Sequence, residues 1–248
     1  MRSLFAVICV AAVVAAMPTA GGATRSTPSV GRSESAFVLG KFACYPARFS
    51  EFATRQVKLT DQFGKRTTAL VARPDTLCFS ASVNGWASNA DPRAHLTCHP
   101  IQAAPTKEIG IRVTNQFGAP AMTVLVRRTL CVPSSAATGG ALGPPPKTLD
   151  NFTCYSIRPG EPFKQQLAAV ADQFVTTETK DFVIAPNSVC APAMVDTSRP
   201  LQSLLLTCYG IKSVAKARSF VVRSKFALLK ASLGTRGQVC VPSVKKSQ

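Results

Sequence analysis

Acidic and catalytic side chains are scarce in this 248-residue sequence. It has 12 Asp and Glu against 29 Lys and Arg, with two histidines and one tryptophan. So few carboxylates make a hydrolytic cleft with paired acids hard to assemble. The sequence has no Gly-x-Ser-x-Gly turn and no glycine-rich loop followed by Lys-Ser or Lys-Thr. It therefore indicates neither a serine hydrolase of that class nor a phosphate-binding loop.

Close cysteine pairs are also absent, although cysteine itself is not. A structural zinc site needs spacings such as Cys-x-x-Cys, and none occurs. Of the nine cysteines, Cys9 lies in the first apolar segment, which leaves eight. An even number is typical of complete disulfide pairing in an oxidising compartment. We expect disulfides, no metal site and no cofactor.

One apolar run occurs at the N-terminus, and no other stretch approaches transmembrane length. Arg2 precedes the run Leu4–Met17, which is too short to span a bilayer comfortably and is followed by small residues. This pattern predicts a cleaved signal peptide at residues 1–23, with an uncleaved anchor as the alternative. A flexible leader is predicted at 24–35 because that segment has no hydrophobic period. Cleavage is expected after Ala16, Ala20 or Ala23.

One strand pattern occurs twice in the first half of the chain. In Val57–Gly64 and Ile111–Gly118, apolar and polar residues alternate and then meet Asp-Gln-Phe-Gly or Asn-Gln-Phe-Gly. A second apolar stretch follows each copy, at Thr68–Ala72 and Met122–Val126. Alternation that runs into a polar turn predicts two strands joined as a hairpin. The third copy, Gln165–Ala171, also fits a helix, and we let the clearer copies decide for strand.

Cysteines frame four repeats around these hairpins. The opening cysteines are spaced by 54, 56 and 54 residues, at Cys44, Cys98, Cys154 and Cys208. The closing cysteines follow them after 34, 33, 36 and 32 residues, at Cys78, Cys131, Cys190 and Cys240. Equivalent repeats should close in the same way, so we predict Cys44–Cys78, Cys98–Cys131, Cys154–Cys190 and Cys208–Cys240. The chief rival pairing crosses between the two repeats of a module.

The four repeats are predicted to form two modules. The second and fourth repeats both end in Cys-Val-Pro-Ser, and a Gly- and Pro-rich segment separates the second repeat from the third. We place module 1 at 36–134, a linker at 135–149 and module 2 at 150–244. The predicted fold class is all-β: four disulfide-stapled repeats of about 54 residues in two pseudo-twofold β-barrel or β-sandwich modules.

Comparison of the repeats argues against catalytic roles for the most suggestive residues. Asp61 aligns with an Asn, an Asp and a Ser, which share the ability to bond their own backbone in a turn. His99, beside Cys98, aligns with a tyrosine in the other three repeats, so we interpret it as a packed aromatic ring. His95 and His99 flank Cys98, an arrangement that could otherwise suggest a metal site or a catalytic Cys-His pair. The aligned positions are Asp61, Asn115, Asp172 and Ser224, and Tyr45, His99, Tyr155 and Tyr209.

Positive charge is concentrated at the C-terminal end. The formal net charge is +17, and residues 197–248 contain ten Lys or Arg and no acidic residue. Such a field attracts polyanions, although it is also compatible with a role in solubility alone. The predicted polyanion-binding residues are Lys212, Lys216, Arg218, Arg223, Lys225, Lys230 and Arg236.

The order of these motifs resembles an uncharacterised family of secreted bacterial domains that often occur in tandem. The resemblance rests on Cys-Tyr, Asp-Gln-Phe-Gly, Leu-Cys, Asn84-Gly85, His95-Leu-Thr-Cys98, Thr114–Gly118 and Leu-Cys131-Val-Pro-Ser134. It covers nearly all of module 1 and, with fewer matching motifs, module 2. It implies an exported, repeat-built bacterial protein and assigns no activity or site.

Two functions remain as hypotheses. The first is a non-catalytic, exported binding or structural protein of the envelope or exterior, either secreted or held at the cell surface or in the periplasm. Its basic repeat would hold acidic polysaccharide, lipopolysaccharide or another polyanion. The second is a hydrolase acting on an envelope polysaccharide, with its site between the two modules.

Overall fold

The structure is a computed structural model that describes residues 39–85, 93–139, 142–213 and 218–246. The predicted signal peptide at 1–23, the leader at 24–35 and Lys216 lie outside these residues. Residues 37–248 group as one compact unit. In the part of the chain that is described, no helix has the length and hydropathy needed to cross a membrane.

The fold is all-β, as predicted, and every strand pairing is antiparallel. The first repeat contains β1 (Lys41–Phe49), β2 (Arg55–Asp61), β3 (Gly64–Val71) and β4 (Thr76–Val83). The second contains β5 (His95–Ala103), β6 (Ile109–Thr114) and β7 (Ala121–Ala137). The third contains β8 (Asn151–Pro159), β9 (Gln166–Asp172) and β10 (Thr179–Val195). The fourth contains β11 (Leu205–Lys212), β12 (Ser219–Ser224), β13 (Leu228–Leu233) and β14 (Gln238–Lys246). In the second and third repeats the last two strands are continuous, so β7 and β10 each have 17 residues.

The first and last strands of the four repeats form a closed inner ring. Its order is β1, β4, β5, β7, β8, β10, β11, β14 and back to β1. The ring closes where β14 pairs with β1, with Phe42 opposite Cys240. Each repeat occupies the same place in this ring, which gives the unit a pseudo-fourfold arrangement.

The middle strands of each repeat form an outer arm that leaves its own repeat. The first arm pairs β2 with β10 of the third repeat and β3 with β5 of the second. The other three arms follow the same rule. One strand of the arm pairs with the last strand of the repeat two positions further around the ring, and the other strand pairs with the first strand of the next repeat. Every arm therefore ties three repeats together.

Alternate residues of the ring strands supply two different cores. In β1, Phe42 and Cys44 belong to a central cluster that also contains the other seven cysteines. Their neighbours Ala43 and Tyr45 belong to an outer cluster beneath the arms. This period of two is what a strand buried on both faces requires. The central cluster therefore lies inside the ring, and the outer clusters lie between ring and arms.

The predicted division into modules at 36–134 and 150–244 does not describe this pairing. Strand β1 pairs with β13 and β14, and β2 pairs with β10, so both halves share one sheet. The predicted linker at 135–149 begins inside β7, which pairs with β12 up to Ala137. The physical reason is that each arm finds partners for its exposed edges in other repeats rather than in its immediate neighbour alone.

This interleaving predicts that one half of the chain cannot fold alone. A fragment of residues 37–139 loses the partners of β1, β2, β4, β6 and β7 from the other half. We expect it to give a poorly dispersed amide NMR spectrum and no cooperative urea transition, because its edges and core stay exposed. A chain of residues 37–248 is the control and should unfold cooperatively. A dispersed spectrum and a cooperative transition for the fragment would contradict the interleaved fold.

Candidate functional site

The two most repeated motifs of the sequence meet across the ring. The residue after each opening cysteine contacts the turn of the repeat two positions along. The Tyr155 hydroxyl donates to Asp61 at 2.8 Å, and the Tyr45 hydroxyl donates to Asp172 at 2.6 Å. Tyr209 accepts from Asn115 Nδ2 at 2.9 Å. In the fourth contact, His99 packs edge-on against Phe226 with ring centroids 5.3 Å apart.

The turn interpretation of the aligned polar residues is confirmed. In all four repeats this side chain accepts a hydrogen bond from the backbone N–H of the aromatic residue two positions later. The acceptors are Asp61, Asn115, Asp172 and Ser224, at 2.8, 2.9, 2.8 and 3.2 Å. Such local bonds are why Asp, Asn and Ser favour turns. Sequence comparison did not predict that the same side chains also bind the tyrosines of distant repeats.

Two of the four contacts contain a buried arginine. Arg127 Nε donates to the Tyr155 hydroxyl at 2.8 Å and lies 3.5 Å from Asp61 Oδ2. Arg236 donates to Asp172 at 3.0 Å and to Asp181 at 2.6 Å. These guanidinium groups and carboxylates have side-chain exposures of 3% or less, so their charges are balanced without solvent.

The assignment of Arg236 to a polyanion-binding surface is wrong. Its residue exposure is 1%, and its guanidinium is bonded to two carboxylates and to the Thr179 hydroxyl. Counting charges along the sequence cannot distinguish a buried, paired cation from a solvated one. The available signal was positional. Arg127 and Arg236 both stand four residues before the closing cysteine, where the first and third repeats have proline.

Burial keeps the tyrosines of these contacts protonated. It raises the pKa of Tyr45 and Tyr155 well above the usual range, and the adjacent carboxylates raise it further. For Tyr209, burial raises the pKa to about 12, and the Asn115 side chain partly opposes the shift. Burial also raises the pKa of Asp181, against the charge of Arg236. These groups act as fixed donors and acceptors that join distant repeats.

His99 occupies the aromatic position that the repeat comparison predicted. Its ring lies between Phe52 and Phe226, with centroids 5.0 and 5.3 Å away, and Nδ1 is 2.9 Å from the Ala72 carbonyl oxygen. Burial lowers the pKa of His99 to about 4. His95 packs against the ring of Phe79 with centroids 4.9 Å apart. The described residues contain no group of three His, Cys, Asp or Glu side chains that could hold a metal ion.

The four predicted disulfides are all present and lie together at the axis of the ring. They join Cys44–Cys78, Cys98–Cys131, Cys154–Cys190 and Cys208–Cys240, with Cα separations of 3.9–4.0 Å. A cavity of about 350 Å³ adjoins them. All eight cysteines line it, together with Phe42, Leu96, Phe152 and Leu206. Its polar lining consists of Asp75, Thr76, Arg128, Thr129, Tyr155, Ser156, Asn187, Ser188 and Gln238.

Apart from Arg236, the predicted basic residues that the structure describes are on the surface. Lys212, Arg218, Arg223, Lys225 and Lys230 are exposed, and partial desolvation lowers the pKa of Lys225 to about 8. Beside them lies a shallow groove of about 460 Å³ between β1 and the fourth arm, lined by Arg48 and Lys230 and by no acidic side chain. Arg48 comes from the first repeat, so a sequence-based search of the C-terminal segment could not include it. The fold thus places Arg48 of the first repeat beside Lys230 of the fourth.

No protein-family model, curated protein or solved structure matches this chain. The hydrolase hypothesis placed its site between two modules, and the interleaved strands leave no boundary of that kind among the described residues of the unit 37–248.

Removing a buried arginine should be strongly destabilising. Arg236→Met leaves Asp172 and Asp181 without their cation, and we expect the free energy of unfolding to fall by about 3–5 kcal/mol. Arg223→Met, at an exposed position, should change it by less than about 0.5 kcal/mol. Urea titration monitored by circular dichroism measures both. Adding Asp181→Asn to Arg236→Met should recover part of the lost stability. Equal effects of Arg236→Met and Arg223→Met would contradict the assignment of Arg236 as a buried, paired cation.

His99 should make stability depend on pH. Its pKa is about 4 in the folded protein and 6.5 when unfolded, so the unfolded state takes up the proton first as pH falls. The contribution is fully present above pH 6.5 and is lost toward pH 4, by about 3 kcal/mol in total. His99→Tyr, the residue of the other repeats, should flatten this part of the profile. The measurement is the difference between wild-type and variant unfolding free energies from pH 7 to 4, and parallel profiles would refute it.

Proposed function

We propose that this protein is a non-catalytic, exported binding protein that holds acidic polymers on the basic face of its fourth repeat. The basic face is defined by Arg218, Arg223, Lys225 and Lys230 together with Arg48 of the first repeat. The four disulfides are typical of a protein from an oxidising compartment. The motif order that resembles exported bacterial repeat domains also supports export.

The observation that carries this proposal is the arrangement of charge in the fourth repeat. Residues 197–248 contain no Asp or Glu. The carboxylates that act on their cations come from the third repeat: Asp172 and Asp181 bind the buried Arg236, and Asp196 lies near Lys225. Arg223 and Lys230 project from the paired strands β12 and β13, where Val221 is opposite Lys230. The antiparallel pairing holds these cations on a fixed sheet, so they need little ordering before they meet a charged chain.

The groove beside β13 extends the basic face across a repeat boundary. Strands β13 and β1 pair with Arg48 opposite Ser232, which places the first-repeat cation beside the fourth arm. Phe49, Phe220 and Ala231 form the apolar part of the groove. A linear polymer with regularly spaced negative charges could lie along this groove and release its counterions to solution. This reasoning favours a polyanionic chain over a compact small anion.

Neutralising the basic face should weaken binding and its salt dependence. For the triple variant Arg223→Gln/Lys225→Gln/Lys230→Gln, we expect the slope of log K against log salt to decrease by about 2–3, because each neutralised contact contributes about 0.7–0.9. The measurement is binding of a sulfated polysaccharide, a polyuronate and DNA at several salt concentrations. The triple variant Arg55→Gln/Lys65→Gln/Arg66→Gln removes the same charge from exposed sites in the first repeat and is the matched control.

The two triple variants separate a site from a general charge effect. Loss in the fourth-repeat variant with near wild-type binding in the control supports the proposal. Equal loss in both would show that net charge attracts the polymer without a defined face. Absence of binding by the wild type to every polymer at low salt would overturn the function itself.

A further inference from the structure

The sulfur atoms of the four disulfides form a closed circuit at the ring axis. Within each repeat two sulfurs are bonded, and between adjacent repeats the nearest sulfurs are almost in van der Waals contact. These contacts are Cys78 to Cys98 at 4.0 Å, Cys131 to Cys154 at 3.7 Å, Cys190 to Cys208 at 3.9 Å and Cys240 to Cys44 at 3.7 Å. Covalent bonds and contacts thus alternate around eight sulfurs. A thiolate formed anywhere in the circuit would face the disulfide of the next repeat.

The axial cavity gives small molecules access to this circuit. All eight cysteines contribute to its lining, and its rim carries hydroxyl and amide groups such as Thr129, Ser188 and Gln238. Exposure differs among the cysteines: Cys154 is 7% exposed and Cys131 is 6%, against 2–4% for the other six. Attack on a disulfide requires a thiolate to approach one of its sulfurs. Cys154 is the most accessible sulfur-bearing residue of the circuit.

We propose that the cavity is a thiol-exchange site for small monothiols, in which the ring of sulfurs passes a thiolate from repeat to repeat. The proposal is independent of polymer binding, because it uses the interior of the ring and not the basic face. The ligand class is a compact thiol that fits a cavity of about 350 Å³. The product of the exchange is the same chain with the opposite set of neighbouring sulfurs bonded.

Each step exchanges one disulfide for another without net oxidation or reduction. The external thiolate attacks Cys154 Sγ, which forms a mixed disulfide and breaks the Cys154–Cys190 bond, so Cys190 leaves as a thiolate. Cys190 attacks Cys208 and releases Cys240, and Cys240 attacks Cys44 and releases Cys78. Cys78 then attacks Cys98 and releases Cys131. Finally Cys131 attacks Cys154 in the mixed disulfide and releases the external thiolate.

The sheet register explains why bonding within repeats is the resting arrangement. Cys44 lies directly opposite Cys78, whereas Cys78 is opposite Leu96, two residues from Cys98. Directly opposite residues are close enough for a disulfide, but diagonal neighbours are about 7–8 Å apart at Cα, which is beyond the usual disulfide range. The exchanged pairs therefore require small strand movements. We expect them as a trapped minority and not as the dominant form.

The test is disulfide mapping after mild treatment of the native full-length mature chain. The protein is incubated at pH 8 with less than one equivalent of 2-mercaptoethanol, quenched in acid, alkylated and digested with pepsin at low pH. Mass spectrometry should detect the pairs Cys78–Cys98, Cys131–Cys154, Cys190–Cys208 and Cys44–Cys240 together with the native pairs. Pairs between cysteines that are not neighbours in the circuit should be at least tenfold rarer.

Two comparisons test access through the cavity. Ser156→Trp places a large side chain at the cavity lining, and it should slow the appearance of exchanged pairs at least tenfold. Ser219→Trp, at an exposed position of β12, is the matched control and should behave as the wild type. For the wild type itself, a thiol attached to a large polyethylene glycol should exchange at least tenfold more slowly than 2-mercaptoethanol. The polymer comparison needs no variant to fold.

Three results would overturn the proposal. The first is recovery of native pairs and mixed disulfides alone, because transfer between repeats would then be absent. The second is a random distribution of pairs, which indicates exchange in unfolded chains. The third is equal reactivity of the small and the polymer-bound thiol, which would show that the cavity does not control access.

Discussion

A hairpin of two short strands leaves both of its edges and one apolar face uncovered. The rest of this structure depends on how the chain covers them. Each of the four repeats has such a hairpin as its arm. The arm pairs with the last strand of one repeat and the first strand of another, so every edge is covered by a different part of the chain. Because the repeats have the same requirement, four copies close into a ring with pseudo-fourfold arrangement.

The contacts across the ring also explain why the sequence repeats at two levels. Asp61 and Asp172 belong to odd-numbered repeats, whereas Arg127 and Arg236 belong to even-numbered ones. In even-numbered repeats the aligned turn residue is Asn or Ser, which needs no counter-ion. Alternation of acid and base along the chain thus has a structural cause. Each carboxylate of an odd-numbered repeat is paired with the arginine of the even-numbered repeat that follows it, Asp61 with Arg127 and Asp172 with Arg236.

Gly64 in the turn of the first hairpin packs closely against Arg127. A Cβ added to Gly64 would overlap the guanidinium of Arg127. The glycine of Asp-Gln-Phe-Gly leaves room for this buried guanidinium, which any larger residue would force to shift. In the third repeat Val175 holds the aligned position, and the corresponding Arg236 extends toward Thr179 and Asp181. The turn sequence and the position of the arginine vary together.

Local physical chemistry made much of this fold predictable. Alternation predicted the strands around Val57 and Ile111, and the repeat spacing predicted all four disulfides. The segment 165–171, which also fits a helix, forms strand β9 from Gln166 because β4 and β10 pair with it on both sides. The partners of the arms could not be predicted, since strand periodicity specifies which face is buried and not which strand covers the edge. Charge counting misplaced Arg236 and omitted Arg48 because the number of charges in a segment does not show which are buried or which distant cations lie nearby.

The pairing of β1 with β14 has a consequence for how this chain acquires its structure. The sulfurs of Cys44 and Cys240 are in contact although they lie 196 residues apart in sequence. Proteins rich in such distant contacts fold slowly, because a long loop loses its freedom before the contact forms. The first repeat is synthesised before the fourth, so β1 cannot pair with β13 and β14 until synthesis reaches them. We therefore expect the pairing of the fourth repeat with the first to be the last step of folding.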